Sequence, residues 1–285
     1  MSKTLRLLVP DWKAGNRTEF YLGTQLLSWL APKNEGQKQI EVDIEPPDAY
    51  PLVEENNVIA QSAVIEEVVK VKEILAEERP DKVVTLGGTC IASQAPFDYL
   101  KGKYGDELGV IWIDAHPDIS SPEVMNEEHA MVLGNLIGAG DPEFAEKVDH
   151  KFDSSSVLYV GLQELHEEER QLLDDLNFEY KVQSDEILNG EDVQQWIAEK
   201  GFKKIAIHFD IDVLSPSIFR DTYMAEPGLK EFPAAAGRMD FKQLGSIFNS
   251  IFSNSEVVGL TVAEYMPFDA INLKELLSKL DIFQE

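Results

Sequence analysis

The 285-residue sequence holds one cysteine, Cys90. That excludes an internal disulfide framework and fits a reducing compartment. No uninterrupted apolar run reaches the roughly 18 residues that a membrane-spanning helix needs. The opening stretch MSKTLRLLVPDWKAG lacks the long apolar core of a secretory leader, so the expected location is cytoplasmic. Positive charge is scarce as well, with 25 Lys and Arg against 52 Asp and Glu and a net charge of −27. A surface so acidic repels nucleic acid and anionic lipid, which removes both as expected partners. It favours solubility and raises the local concentration of cations. Repeats and low-complexity linkers are missing too, and residues 1–285 read as a single domain.

What is present is an alternation of strand and helix patterns. Strands are read at LRLLVP, QIEVDIEP, KVVTL, LGVIWID, SVLYVGL, KKIAIHFDID and VVGLTVAEY. Between them lie helical stretches such as RTEFYLGTQLLSWL, EEHAMVLGNLIG and DFKQLGSIFNSIF. A long helix is read over NNVIAQSAVIEEVVKVKEILAEE, with Val64, Val68, Val71 and Leu75 at helical spacing. Several strands are apolar on both faces, the pattern of a parallel sheet covered on both sides. The expected fold class is α/β: a three-layer α/β/α sandwich with a mostly parallel sheet of about eight strands. Ligands of such sheets bind at the carboxyl ends of the strands, so the residues just after each strand carry the functional information.

Two strands end in acids. WIDAHPDI supplies Asp114, His116 and Asp118, and IHFDIDVLSPS supplies Asp210 and Asp212. Residues two apart in extended chain face the same way. Asp114 and His116 therefore converge, with Asp118 close behind, and Asp210 and Asp212 converge likewise. Carboxylates packed in this way take up protons or bind metal. Oxygen donors with one or two nitrogens suit a divalent ion such as Mn²⁺. Five or six donors are too many for one tetrahedral ion and suit two ions that share carboxylates. The bland reading, solvated loop acids in an acidic protein, is weakened by the pairing of the two patterns after two buried strands.

On these residues the sequence resembles the ureohydrolase family, which includes arginase, agmatinase and formimidoylglutamase. The resemblance covers about Val83 to Pro267 and keeps the family's order of motifs. GGTC stands for G-G-D-H, DAHPD for D-A-H-x-D, HFDIDVLSP for S-x-D-x-D-x-x-D-P, and GLTVAEYMP for a late glutamate after a strand. It implies an arginase-like fold and two divalent metal ions, Mn²⁺ by family habit. The implied activity is hydrolysis of a linear C–N bond in a small cationic guanidino or amidino substrate, through a hydroxide bridging the metals. It implies Asp114, His116, Asp118, Asp210 and Asp212 as ligands, and Glu264 as the acid that holds the substrate's guanidinium. His129 falls where relatives have a histidine at the mouth of the site that binds substrate or shuttles a proton; a plain helix-start histidine is the other reading. A homo-oligomer, trimer or hexamer, is implied by analogy. His166 stands where arginases have an acid that contacts the amino-acid end of arginine, which argues against arginine as substrate. His150, beside a lysine in a polar stretch, reads as surface.

Three positions depart from the family's motifs: Thr89-Cys90 replace Asp-His, His208 replaces a serine, and Ser215 replaces an aspartate. Cys90 thus stands in place of a ligating histidine. As a thiolate it would tilt its half of the site towards Zn²⁺ or Fe²⁺; the alternative is a small buried thiol beneath an incomplete site. His208 shares strand parity with Asp210 and Asp212 and is a candidate to supply the missing imidazole; the alternative is a satisfied strand histidine. A non-catalytic or regulatory member of the fold with a degraded metal site is the competing function. A di-metal phosphatase or nuclease lacks basic residues near the motifs to hold phosphate.

Overall fold

The computed structural model describes residues 2–47, 51–230, 234–280 and 282. In chain order the strands are β1 (Thr4–Val9), β2 (Lys38–Glu41), β3 (Glu54–Glu55), β4 (Val58–Ile59), β5 (Lys82–Gly87), β6 (Leu108–Ile113), β7 (Val157–Val160), β8 (Lys204–Asp210) and β9 (Glu256–Ala263). The α-helices are α1 (Glu19–Leu30), α2 (Gln61–Glu78), α3 (Gln94–Tyr104), α4 (Val132–Ile137), α5 (Pro142–Ala145), α6 (Glu167–Asp175), α7 (Gly190–Lys200), α8 (Phe241–Asn254) and α9 (Phe268–Ser278).

Seven strands form one parallel sheet in the order β2-β1-β5-β9-β8-β6-β7. The count is seven rather than about eight. The remaining two strands, β3 and β4, pair only with each other, antiparallel. That small hairpin also shortens the long helix read from the sequence. Asn56 and Asn57 both take positive φ, 50° and 64°, the conformation a two-residue hairpin turn demands. The helix therefore starts at Gln61 instead of within the asparagines.

The two-sided apolar strands bury both faces. Val110 and Trp112 of β6 join a cluster with Val64, Val68, Val71 and Leu75 of α2 and Phe97 and Leu100 of α3. Ile111 and Ile113 of the same strand join the opposite cluster, with Val193 and Ile197 of α7 and Leu244, Ile247 and Ile251 of α8. The period-2 alternation of one strand thus divides its side chains between two cores, and the middle layer is fixed from both sides.

The strand order brings β5, β9, β8 and β6 side by side in the middle of the sheet. Their carboxyl ends carry, in that order, Cys90, Glu264, the pair Asp210 and Asp212, and the pair Asp114 and His116. The turn after β5 is held firmly. Asp11, just after β1, accepts hydrogen bonds at 2.9 Å from the Gly88 amide and at 3.0 Å from the Thr89 amide, and another from the Thr89 hydroxyl. The Gly88 carbonyl in turn accepts from the Glu264 amide at 3.0 Å. Three strand ends are thereby latched together.

Gly88 is required by this close approach. A Cβ there would stand 1.7 Å from the backbone oxygen of Asp11, which is main chain and has no rotamer to escape into. Gly88→Ala is expected to destabilise the protein by about 1–3 kcal/mol or more, read as a lowered urea midpoint. An unchanged midpoint would show that the latch yields without cost.

Candidate metal and catalytic site

The expected ligands are brought together by the ends of β6 and β8. Asp114 and Asp210 each follow the strand parity, and each uses one carboxylate oxygen to accept an amide two residues on. His116 N donates to Asp114 Oδ1 at 2.7 Å, and Asp212 N donates to Asp210 Oδ1 at 2.7 Å. These local turns fold the chain over and aim His116 at Asp212. His116 Nδ1 lies 3.0 Å from Asp212 Oδ2 and 3.6 Å from Asp114 Oδ1, while its Nε2 contacts the Ala235 carbonyl at 2.9 Å.

Four groups of donors lie close enough to share an ion, with ligand atoms within 4.8 Å of one another. They are Asp114, His116 and Asp212; Cys90, Asp114, His208 and Asp210; Asp210, Asp212 and Glu264; and Cys90, His129 and Glu264. Asp114, Asp210, Asp212, Glu264 and Cys90 each belong to two of the groups, so the carboxylates are placed to be shared between neighbouring ions. Asp118 is outside all of them. β6 ends at Ile113 and Asp118 takes φ 47°, so the extended-chain rule that aligns Asp114 with His116 does not carry on to it. It remains buried, and its Oδ2 has no hydrogen-bond partner.

His129 sits in a short turn, Glu128–Met131. Its Nδ1 is 2.6 Å from Glu264 Oε1, and its Nε2 is 3.6 Å from Glu127 Oε2. Glu264 is held in an unusual backbone conformation for a non-glycine residue, φ 65°, and its Oε1 also lies 3.5 Å from the Cys90 sulfur. Left-handed backbone at two acids of one buried site, Asp118 and Glu264, is the kind of strain that a surrounding structure maintains where the side-chain direction matters.

Cys90 and His208 are both in the site. The Cys90 thiol donates to Asp210 Oδ2 at 3.0 Å. His208 is fully buried and stacked on Trp112, with ring centroids 3.8 Å apart and planes 10° apart. Its Nδ1 is 2.7 Å from Ser93 Oγ. His150 and His166 play other parts: His150 pairs with Asp98 at 3.2 Å, and His166 stands at the start of α6 with its amide bonded to Glu169.

The electrostatics are those of an acid cluster short of cations. Burial, then the neighbouring Asp212 carboxylate, pushes Asp114 and Asp210 well above the ordinary range; burial and Asp114 do the same to Asp118. Burial alone would lower His116, but the adjoining Asp212 and Asp114 drive it up to about 10. Burial likewise opposes charge on His129, and Glu264 and Glu127 overcome it and raise its pKa well above normal. Burial dominates at His208, which is pushed down to about 4 and stays neutral. Burial and the surrounding carboxylates hold the Cys90 thiol protonated. The overlapping oxygen-rich groups, with the unpartnered Asp118 Oδ2 and His208 Nε2, fit divalent ions.

A cleft of about 440 Å³ adjoins His129, lined by Asn16, Arg17, Thr18, Glu19, Glu127 and Tyr223. A larger depression of about 610 Å³ lies at the opposite, amino-terminal edge of the sheet, around Thr4, Lys82 and Glu256. Strand polarity, not volume, selects the first. Asp11, Ser93, Trp112 and Glu127 also belong to the site and stand in none of the motifs' expected positions. Asp11 carried the one available signal, an acid directly after a buried strand. The others act through contacts between distant segments.

Metal-free protein is expected to lose stability as pH rises. The raised carboxyls of Asp114, Asp118 and Asp210 favour the folded state at low pH and lose that advantage above about 4, where the unfolded chain ionises. His116 contributes fully below about 6.5 and loses its contribution as pH rises through about 10. A series of thermal melts should show Tm falling from pH 6.5 to 10, with a shallower slope in His116→Asn. Equal slopes would contradict the His116 assignment.

The comparisons with known proteins agree with this geometry. A sequence profile described as the arginase family matches residues 36–274. An arginase from Staphylococcus aureus is 28% identical over 123 residues, covering 40% of this chain and 40% of that protein. An arginase from Plasmodium berghei is 27% identical over 174 residues, covering 57% of this chain and 46% of that protein. The chain thus matches less than half the length of these curated relatives. The structure of an Entamoeba histolytica arginase in complex with L-ornithine superposes with a TM-score of 0.75 at 18% identity, covering 98% of this chain and 97% of the other. A formimidoylglutamase from Bacillus subtilis superposes with a TM-score of 0.63 at 15% identity, covering 94% and 80%. At such identities the superpositions speak for the fold, whereas the profile spans most of the chain: this protein is a member of the arginase family.

Proposed function

We propose that the protein is a metal-dependent hydrolase of C–N bonds in linear amidines, acting on a small cationic guanidino or amidino compound. The observation that carries this reading is the overlap of the donor groups at Asp114 and Asp210, with Glu264 and His129 joined at one edge of the same cluster. Divalent ions bound there supply Lewis acidity and bring the pKa of water towards neutrality. Asp114, His116, Asp210 and Asp212 would hold them, with Asp118 turning its unpartnered oxygen to the same use.

The remaining chemistry belongs to the chain. Hydrolysis breaks one C–N bond, adds water across it, and needs a proton on the departing amine. Glu264 offers a buried carboxylate to a planar cation, and charge-assisted bonds of that kind are strong and directional. His129 keeps a proton between Glu264 and Glu127, and its Nε2 side faces the cleft residue Glu127. That imidazolium is placed to deliver the proton to the leaving nitrogen. The cleft beside it carries two carboxylates, Glu19 and Glu127, and one guanidinium. Arg17 is engaged by Glu226 at 2.7 Å and lies over the Tyr223 ring at 4.5 Å. The polar entrance suits a charged, hydrophilic substrate. The oligomer that the family resemblance implies would give cover to the exposed apolar side chains of α9, such as Leu273 and Leu276.

Purified protein loaded with Mn²⁺, Zn²⁺ or Fe²⁺ is expected to release urea or ammonia from a member of a guanidino and amidino panel. Glu264→Gln is expected to lower kcat/KM on that substrate by about a hundredfold, as loss of a buried charge-assisted pair costs about 2–3 kcal/mol. Less than one bound ion per chain and no release with any metal would overturn the hydrolase reading. Unchanged kcat/KM in Glu264→Gln would remove Glu264 from substrate binding.

A further inference from the structure

Two side chains of the site, an imidazole and a thiol, offer donors of a kind the carboxylates do not. His208 is fully buried, yet its Nε2 has no hydrogen-bond partner, a costly condition for a polar atom. The ring cannot turn away to find one. Trp112 stacks flat against it, and Ser93 Oγ holds Nδ1 at 2.7 Å. In the tautomer that donates its Nδ1 proton to the serine oxygen, Nε2 offers its lone pair on the side of Asp114; a fixed partner on one ring nitrogen is how ligating imidazoles are oriented. Nε2 is 3.6 Å from Asp114 Oδ2. That is too long for a good hydrogen bond and close to the spacing of about 3.4 Å between two donors on one tetrahedral ion.

The second feature is the thiol. Cys90 Sγ lies 3.0 Å from Asp210 Oδ2, and its group with Asp114, His208 and Asp210 consists entirely of buried side chains. Cys90 lies in the turn just after β5 and His208 on β8, the two strands that flank β9. They reach the same two carboxylates from different sides.

We propose that Cys90 sulfur and His208 Nε2 ligate one ion together, with Asp114 and Asp210, so that this half of the site is a sulfur–nitrogen–oxygen set that selects Zn²⁺ or Fe²⁺ over Mn²⁺. The His116 and Asp212 half keeps its oxygen-rich character. On binding, the Cys90 S–H bond gives its proton to solvent and the sulfur binds as thiolate. Ser93 is a positioning residue that orients the His208 ring. The inference rests on the reading of the cluster as a metal site and deepens it by naming the donors and the preference.

The test uses the metal-free full chain titrated with Co²⁺, Zn²⁺ and Mn²⁺, without any assay of activity. Co²⁺ is expected to give a strong sulfur-to-metal charge-transfer band in the near ultraviolet, absent in Cys90→Ser. His208→Asn keeps a polar group where Nδ1 stands and removes Nε2. It is expected to weaken Zn²⁺ binding by about a hundredfold or more and to leave the charge-transfer band in place once saturated. The ratio of Zn²⁺ to Mn²⁺ affinity is expected to fall at least about tenfold in Cys90→Ser. The wild-type spectrum does not depend on any variant folding. Bound Co²⁺ with no such band, or unchanged Zn²⁺ affinity in a folded His208→Asn protein, overturns the shared ligation while leaving a metal site in being. Failure to bind any of the three ions overturns both readings.

Discussion

The constraint on which the site depends is buried negative charge at the ends of three adjacent parallel strands, β9, β8 and β6. Asp114, Asp210, Asp212 and Glu264 are all nearly inaccessible to water, and desolvation penalises each of them when ionised. A fold can hold such a set only by protonating it or by filling it with cations. The directions of the shifts follow from this: burial and neighbouring carboxylates raise Asp114, Asp118 and Asp210, and the acids beside them raise His116 and His129. Everything around the cluster serves to keep the acids together against their repulsion. The amides of His116 and Asp212 hydrogen-bond the acids two residues before them, Trp112 Nε1 donates to Asp114 Oδ2 at 3.1 Å, and the two cores clamp the sheet from both faces.

Much of this was legible in the sequence because it follows from short periods. Both-face apolarity in KVVTL and VIWI gave the parallel sheet, and the spacing of two gave the convergence of Asp114 with His116 and of Asp210 with Asp212. That rule reaches only as far as the chain is extended: Asp118 takes a left-handed φ that nothing in DAHPD announces, yet it stays buried beside Asp114. Helical periodicity misled at NNVIAQ, where apolar spacing suggested helix but the two asparagines form a tight turn. That signal was present and was outweighed by periodicity.

What could not be read from the sequence is contact between segments distant in the chain. The parity of β8 placed His208 on the side of Asp210, but nothing local shows that Ser93 and Trp112 fix its ring, or that Cys90 approaches Asp210 across 120 residues. The departures at positions 89–90 and 208 look like independent losses when the motifs are taken one at a time. In space they face one another, because the strand order sets β5 and β8 on either side of β9. A donor set is counted properly in three dimensions, where residues can exchange roles between strands.

The latch between the ends of β1, β5 and β9 has a mechanical consequence. The Glu264 amide is tied to the Gly88 carbonyl, and the Gly88 and Thr89 amides are tied to Asp11. Glu264 therefore rides on the same rigid frame as the turn that carries Cys90. Their main chains are held at the spacing of neighbouring strands, just under about 5 Å, and Glu264 Oε1 stands 3.5 Å from the Cys90 sulfur. A displacement of the β1 end would therefore carry the acid and the thiol together, without changing their distance from one another.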